Sequence, residues 1–164
     1  MKERMEKIAS FRINHLVLMP GIYVSRRDVS PSGDVITTFD VRLTAPNREA
    51  AADPRALHAM EHLVATFLRN HPQWAPKTVY WGPMGCCTGN YLILQGELES
   101  SDVVGLMREA MEFVADFEGV IPGATARDCG NYLLMNLPEA RWEAGKYLRE
   151  VLECATEENL NYPQ

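Results

Sequence analysis

Two histidines stand four apart, with a glutamate just before the second, in HAMEH at residues 58–62. On a helix each residue turns the chain by about 100°, so side chains at i and i+4 share a face. His58 and His62 can therefore offer two imidazoles to one ion, with the Glu61 carboxylate beside them to act on whatever that ion binds. On the helical wheel Leu57, Met60, Leu63, Val64, Phe67 and Leu68 form the arc to be buried. His58, Glu61, His62, Ala65 and Arg69 fall on the other side. The plain alternative is a solvated helix face. Against it, this polar sector is not the usual scatter of Lys and Glu, and the whole chain holds only 4 histidines.

A catalytic mononuclear site needs a third protein donor and an open position. Cys129 in RDCGNY and the adjacent Cys86 and Cys87 are the candidates, and spacing does not choose among them. A thiolate donor suits zinc or ferrous iron and excludes magnesium and calcium. Residues 1–15, MKERMEKIASFRINH, carry charges but no apolar segment followed by small residues, so no secretory signal is read there. Disulfides are then a poor expectation for the 4 cysteines, and thiols held for metal or catalysis a better one. H-x-x-E-H is also the inverted zinc-peptidase motif, in which the glutamate is the base for a metal-bound water. A small metallopeptidase is therefore one reading of this stretch, and a catalytically idle metal-binding module another.

The positioning elements must come from a chain of 164 residues, the length of one domain, expected to span residues 1–164. It is long enough to bury roughly two-thirds of its unfolded surface. Hydrophobic residues at 46% and charged residues at 23% place it among globular chains rather than disordered or membrane ones. The net charge is −6 and no Lys/Arg cluster stands out, which argues against nucleic acid or an anionic membrane as partner. No apolar run approaches the roughly 20 residues that span a bilayer. The expected compartment is the cytoplasm.

Along the chain, FRINHLVLM at residues 11–19 has a strand-compatible apolar pattern that stops at Pro20-Gly21. SPSGD at 30–34 is turn chemistry, and VITTFDVRL at 35–43 alternates with period two. Asp53-Pro54 reads as an N-cap and first helical residue for a helix running to about Asn70. KTVYWG at 77–82 and TGNYLILQG at 88–96 read as two further strands. A helix capped by Ser100 or Ser101 follows, with Val104, Met107, Met111 and Val114 on one face. ATARDCGNYL at 124–133 is expected to be helical, and Pro138 to start the last helix, PEARWEAGKYLREVLECA. Strands and helices without a regular βαβ rhythm give an α+β fold with a largely antiparallel sheet.

Several motifs, taken in order, resemble the S-ribosylhomocysteine lyase (LuxS) family, whose enzymes make the autoinducer-2 precursor. SFRINH at 10–15 is similar to that family's S-F-x-x-x-H start. FDVRLTAPN followed by HAMEHLVATFLRN resembles its F-D-x-R-x-x-x-P-N and H-x-x-E-H-L-x-A-x-x-x-R. GPMGCCTGNYLIL and the later CGNYL resemble its P-M-G-C-x-T-G-x-Y-L and C-G. The resemblance spans residues 10 to about 150. It implies a fold related to the inverted-motif metallohydrolases, with His58, His62 and Cys129 holding one ferrous iron per subunit, replaceable by zinc or cobalt. It implies Glu61 and Cys86 as the acid–base pair, and Ser10, His15, Asp40 and Arg42 as residues lining the substrate pocket. It further implies a homodimer with active sites at the subunit interface. The implied reaction cleaves S-ribosylhomocysteine into homocysteine and 4,5-dihydroxy-2,3-pentanedione.

That reaction suits these residue types. Breaking an unactivated carbon–sulfur bond needs a carbonyl placed so that the neighbouring proton becomes acidic. The ribose must open and its carbonyl migrate twice, each time through an enediolate that a Lewis acid can stabilise. Two proton carriers must then act on neighbouring carbons, the roles of Cys86 and Glu61. Taken singly, Ser10, His15 and Asp40 read as structural, and Asp40 with Arg42 as an ordinary surface ion pair worth about 0–1 kcal/mol. Cys87, Cys154, Trp74 and Trp142 also read as structural. The chain departs from the family pattern at Tyr80 and Gly82 (in place of Asp and Ser), at Asn90 (in place of an aromatic) and at Asn136.

Overall fold

The alternating residues form strand β2 (Val35–Arg42), joined through the turn at Ser30–Asp34 to strand β1 (Gly21–Val29). Strands β3 (Thr78–Pro83) and β4 (Gly89–Gln95) make a second hairpin, and the order β1-β2-β4-β3 is antiparallel throughout. The computed structural model describes residues 5–163; residues 1–4 and 164, the ends of the expected domain, lie outside the described residues.

The strand expected over residues 11–19 is absent, and β1 begins where that strand was to stop. A 3₁₀ turn at Ala9–Phe11 and further turns occupy the segment instead, and Phe11, Leu16, Val17 and Met19 are exposed. Of its apolar side chains Leu18 is fully buried, so the segment is anchored at one point rather than along an alternating face. β1 itself was hidden because it is an edge strand burying only Gly21–Tyr23 before running out to solvent, so it lacks sustained alternation.

Helix α1 (Pro54–Asn70) forms as the sequence indicates, with the Asp53 side chain accepting from the Arg55 N–H at 2.8 Å and Pro54 in the first position. Helix α2 (Ser100–Asp116) is capped one residue earlier than expected, by Glu99 in a reciprocal capping box with Asp102. Residues 124–133 are turns rather than a helix. The Thr125 hydroxyl donates to Asp128 at 2.9 Å and accepts from the Asp128 N–H at 3.2 Å, so local side-chain bonds take up the backbone a helix would use. Helix α3 (Leu137–Tyr147) starts one residue before Pro138 because Asn136 caps it, accepting from the Glu139 N–H at 3.1 Å. It passes into one π-helical turn at Leu148–Leu152, and a short α4 (Glu157–Leu160) follows.

The helices cover one sheet face. Phe39 and Val41 of β2 and Leu92 and Leu94 of β4 pack with Leu57, Met60 and Val64 of α1 and Leu106, Met107 and Met111 of α2. Alternation then turns Asp40, Arg42 and Tyr91 to the opposite face. Asn90 points into the core, fully buried, with neither side-chain amide atom hydrogen-bonded.

Candidate functional site

α1 sets the first half of the site. His58, Glu61 and His62 lie half-buried on its stripe away from the core. The loop between α2 and α3 closes over that stripe: Nδ1 of His58 bonds to the Leu134 carbonyl at 2.7 Å and Nδ1 of His62 to the Pro122 carbonyl at 2.8 Å. A carbonyl only accepts, so both Nδ1 atoms carry the hydrogen and both Nε2 lone pairs stay free for an ion. The same loop delivers Cys129, held in its turn by its N–H donating to the Thr125 carbonyl at 3.0 Å. Gly123 lets the loop come this close. Its φ is +72°, and a Cβ there would stand 3.1 Å from Nδ1 of His62.

The donor atoms of His58, His62 and Cys129 lie within 4.8 Å of one another. Sγ of Cys129 is 3.5 Å from Nε2 of His58. Two ligands on one tetrahedral ion, with bonds of about 2.0–2.1 Å to nitrogen and 2.3 Å to sulfur, stand about 3.5 Å apart. Two neutral imidazoles and a thiolate therefore fit a divalent transition metal, and hard-ligand ions do not suit them. Of the three cysteines left open by spacing, Cys129 is the one the fold brings to His58 and His62.

The second half lies on the sheet face that turns away from α1. One groove there is lined by Ser10, His15, Asp40, Arg42, Cys86 and Tyr91, among others. All four expected pocket residues thus meet Cys86, which the β3–β4 hairpin carries exposed at its tip, beside Cys87 in a left-handed conformation at φ +59°. The Asp40–Arg42 pair is no surface ion pair. Both side chains are buried, with Nε donating to Oδ1 at 3.0 Å and Nη2 to Oδ2 at 2.6 Å. Nη1 of Arg42 donates to the Thr88 hydroxyl at 2.6 Å and approaches Sγ of Cys86 at 3.8 Å, and Sγ is 3.1 Å from that hydroxyl. Partial burial pushes the Cys86 thiol up, but the bonds to Thr88 and the Arg42 cation outweigh it and hold the thiol below its usual range. His15 donates from Nδ1 to the Ile13 carbonyl at 2.9 Å, leaving Nε2 unused.

No residue of the His–His–Cys cluster lines this groove, nor does Glu61. Sequence reasoning missed Thr88, although it stands two residues after Cys86 on the same hairpin, and missed Tyr162, whose hydroxyl donates to Oδ2 of Asp40 at 2.8 Å and which has no local signal. The departures have physical roles too: Asn136 is a helix cap, and Tyr80 lays its hydroxyl over Gly82 in space a side chain there would need.

Residues 8–158 match the family described as S-ribosylhomocysteinase (LuxS). The chain is 60% identical to an S-ribosylhomocysteine lyase of Phocaeicola vulgatus, over 97% of this chain and 98% of that protein. It is 57% identical to one of Porphyromonas gingivalis, over 97% of this chain and 99% of that protein. A lyase of the same description from Clostridium beijerinckii is 59% identical, again over 97% of this chain and 99% of that protein.

Proposed function

The chain belongs to the S-ribosylhomocysteinase (LuxS) family, and from that premise we propose that it is a metal-dependent carbon–sulfur lyase cleaving S-ribosylhomocysteine to homocysteine and 4,5-dihydroxy-2,3-pentanedione. The observation that carries the reading is the convergence of His58, His62 and Cys129 from a helix and a distant loop, with Glu61 on the same helical stripe. A cysteine in the third place distinguishes this donor set from the inverted-motif peptidases, which use a carboxylate there.

Ferrous iron is the proposed ion, one per subunit, with zinc or cobalt able to replace it, since all three accept two imidazoles and a thiolate. When bound it supplies Lewis-acid polarisation of the opened sugar's oxygens. The protein's own groups do the rest. Sγ of Cys86, its thiol lowered by the contacts with Thr88 and Arg42, takes and returns a proton at one sugar carbon, and the Glu61 carboxylate does so at its neighbour. Proton removal beside the final carbonyl expels the homocysteine thiolate. Ser10, His15, Asp40 and Arg42 line the groove that holds the sugar against Cys86.

Cys86 and Glu61 sit on different surfaces of one subunit, so a reaction using both needs a second copy. We take the working form to be a homodimer with each site at the interface, one copy presenting the metal stripe and Glu61, the other the Cys86 groove. The exposed apolar residues Phe11, Leu16, Val17 and Met19 beside that groove support this reading. A cytoplasmic location is in keeping with four unpaired cysteines and a thiolate-based site. No helix among the described residues is long and apolar enough to cross a membrane. The product would feed autoinducer-2 signalling (quorum sensing), and the homocysteine the methyl cycle.

The deciding experiment incubates protein loaded with ferrous iron or cobalt with S-ribosylhomocysteine and measures free thiol. Absence of thiol release from fully loaded protein would overturn the assignment. Sedimentation at working concentration tests the dimer.

A further inference from the structure

We propose that Tyr162, near the end of the chain, is a positioning residue for Cys86, its hydroxyl fixing the Asp40 carboxylate that aims Arg42 at the thiol. The assignment of proton transfer to Cys86 comes from the function proposed above; the hydrogen-bonded chain does not depend on it. The Tyr162 hydroxyl donates to Oδ2 of Asp40 at 2.8 Å, and the same oxygen accepts from Nη2 of Arg42 at 2.6 Å. Oδ1 accepts from Nε of Arg42. Asp40 is buried, so its charge is shared among these donors alone rather than with solvent. Arg42 is thereby held so that its remaining nitrogen, Nη1, meets Thr88 and Cys86.

The tail that carries Tyr162 is built onto the sheet. Its ring stacks on Tyr23 of β1, centroids 4.7 Å apart and planes 13° from parallel. The Tyr23 hydroxyl bonds to the carbonyls of Met19 and Glu158, and the Asn159 amide donates to the Pro20 carbonyl at 3.0 Å. At Gly21 the Asn159 carbonyl comes so close that no side chain fits. The tail can take up no other place without breaking these contacts. Burial and the Asp40 charge push the Tyr162 hydroxyl well above the usual phenol range, so it remains a donor at every working pH.

The sign of the effect follows from the sharing of charge. With the hydroxyl gone, Asp40 leans wholly on Arg42 and neutralises it more completely, and Nη1 loses its fixed aim. Both changes weaken the field that favours the thiolate. The other groups facing Cys86 are His15 from the N-terminal segment and Tyr91 from β4, with Arg26 of β1 near Tyr91; besides Asp40, the Tyr162 hydroxyl meets the uncharged Ser25 side chain.

Tyr162→Phe keeps the stack on Tyr23 and removes only the hydroxyl; Tyr162→Leu removes both. The readout is the ultraviolet absorbance of the thiolate against pH, with the Cys86→Ser titration subtracted so that the other cysteines drop out. The Phe variant should raise the Cys86 midpoint by about 0.3–0.8 pH unit, with metal content unchanged. The acid limb of kcat/KM should move upward with it. If the Phe variant titrates like the parent while the Leu variant merely melts earlier, the tail is only a structural clamp and the proposal is wrong. A shifted thiol in a protein that releases no homocysteine would leave the positioning intact and count against the lyase reading alone.

Discussion

Arg42 and Cys86 meet at 3.8 Å, Nη1 to Sγ, although they come from different strand pairs and only Arg42 is buried. The guanidinium spends two donors on Asp40 and directs the third at the thiol and Thr88, which is how a cation can be buried and still act on an exposed sulfur. Lysine cannot divide itself in this way. Arg42→Lys should raise the Cys86 midpoint by about 0.5–1 pH unit in a thiolate titration. An unchanged midpoint would mean that Thr88 alone lowers the thiol.

The two cysteines should separate cleanly. Cys129→Ala removes a donor from the cluster, so the purified protein should lose its ion, read by metal analysis. Cys86→Ala should keep the ion and lower turnover by about 100- to 10,000-fold, the span of a lost proton carrier. Normal turnover by the second variant would remove Cys86 from the chemistry.

Gly123 is a support for His62. An added methyl would face Nδ1 at 3.1 Å from a backbone at φ +72°, so both the carbonyl bond and the ring orientation must give. Gly123→Ala should weaken metal binding by about 10- to 100-fold in a chelator competition. It should also destabilise the fold by about 1 kcal/mol, and affinity equal to the parent's would show that the loop adapts.

Asn90 occupies a core position with two unpaired amide atoms. Leucine matches its size without the polar cost, so Asn90→Leu should raise stability by about 1–2 kcal/mol in denaturant unfolding. A loss of stability there would indicate that the amide has a partner the buried face supplies.

Glu143 on α3 is buried, and burial, only partly offset by Lys146, raises its carboxyl above the usual range. The folded state then holds the proton more tightly than the unfolded state. Stability from this group is complete below the ordinary carboxylate range and declines as pH rises through the raised value. Glu143→Gln should abolish that decline and gain about 1 kcal/mol at neutral pH, visible as a melting temperature less dependent on pH. A neutral-pH melting temperature below the parent's would contradict the assignment.

What a short stretch of sequence fixes is what depends on near neighbours. Asp53-Pro54 caps and starts α1, the i, i+4 step pairs His58 with His62, and alternation defines β2, because each rests on local backbone geometry. β1 is invisible because most of it faces solvent, and residues 11–19 mislead because Phe11, Leu16, Val17 and Met19 are exposed while Leu18 is buried, with no alternating face between them. The choice of Cys129 over Cys86 and Cys87 belonged to tertiary structure: it stands 71 residues from His58, and only the loop bonded to both imidazoles brings its sulfur to them. Tyr162 reaches Asp40 across 122 residues in the same way. Sequence determined which chemical groups the chain carries and the helix that aligns two of them. Packing decided which groups meet, because contacts between distant segments are set by where buried faces and carbonyls lie, and no local pattern records that.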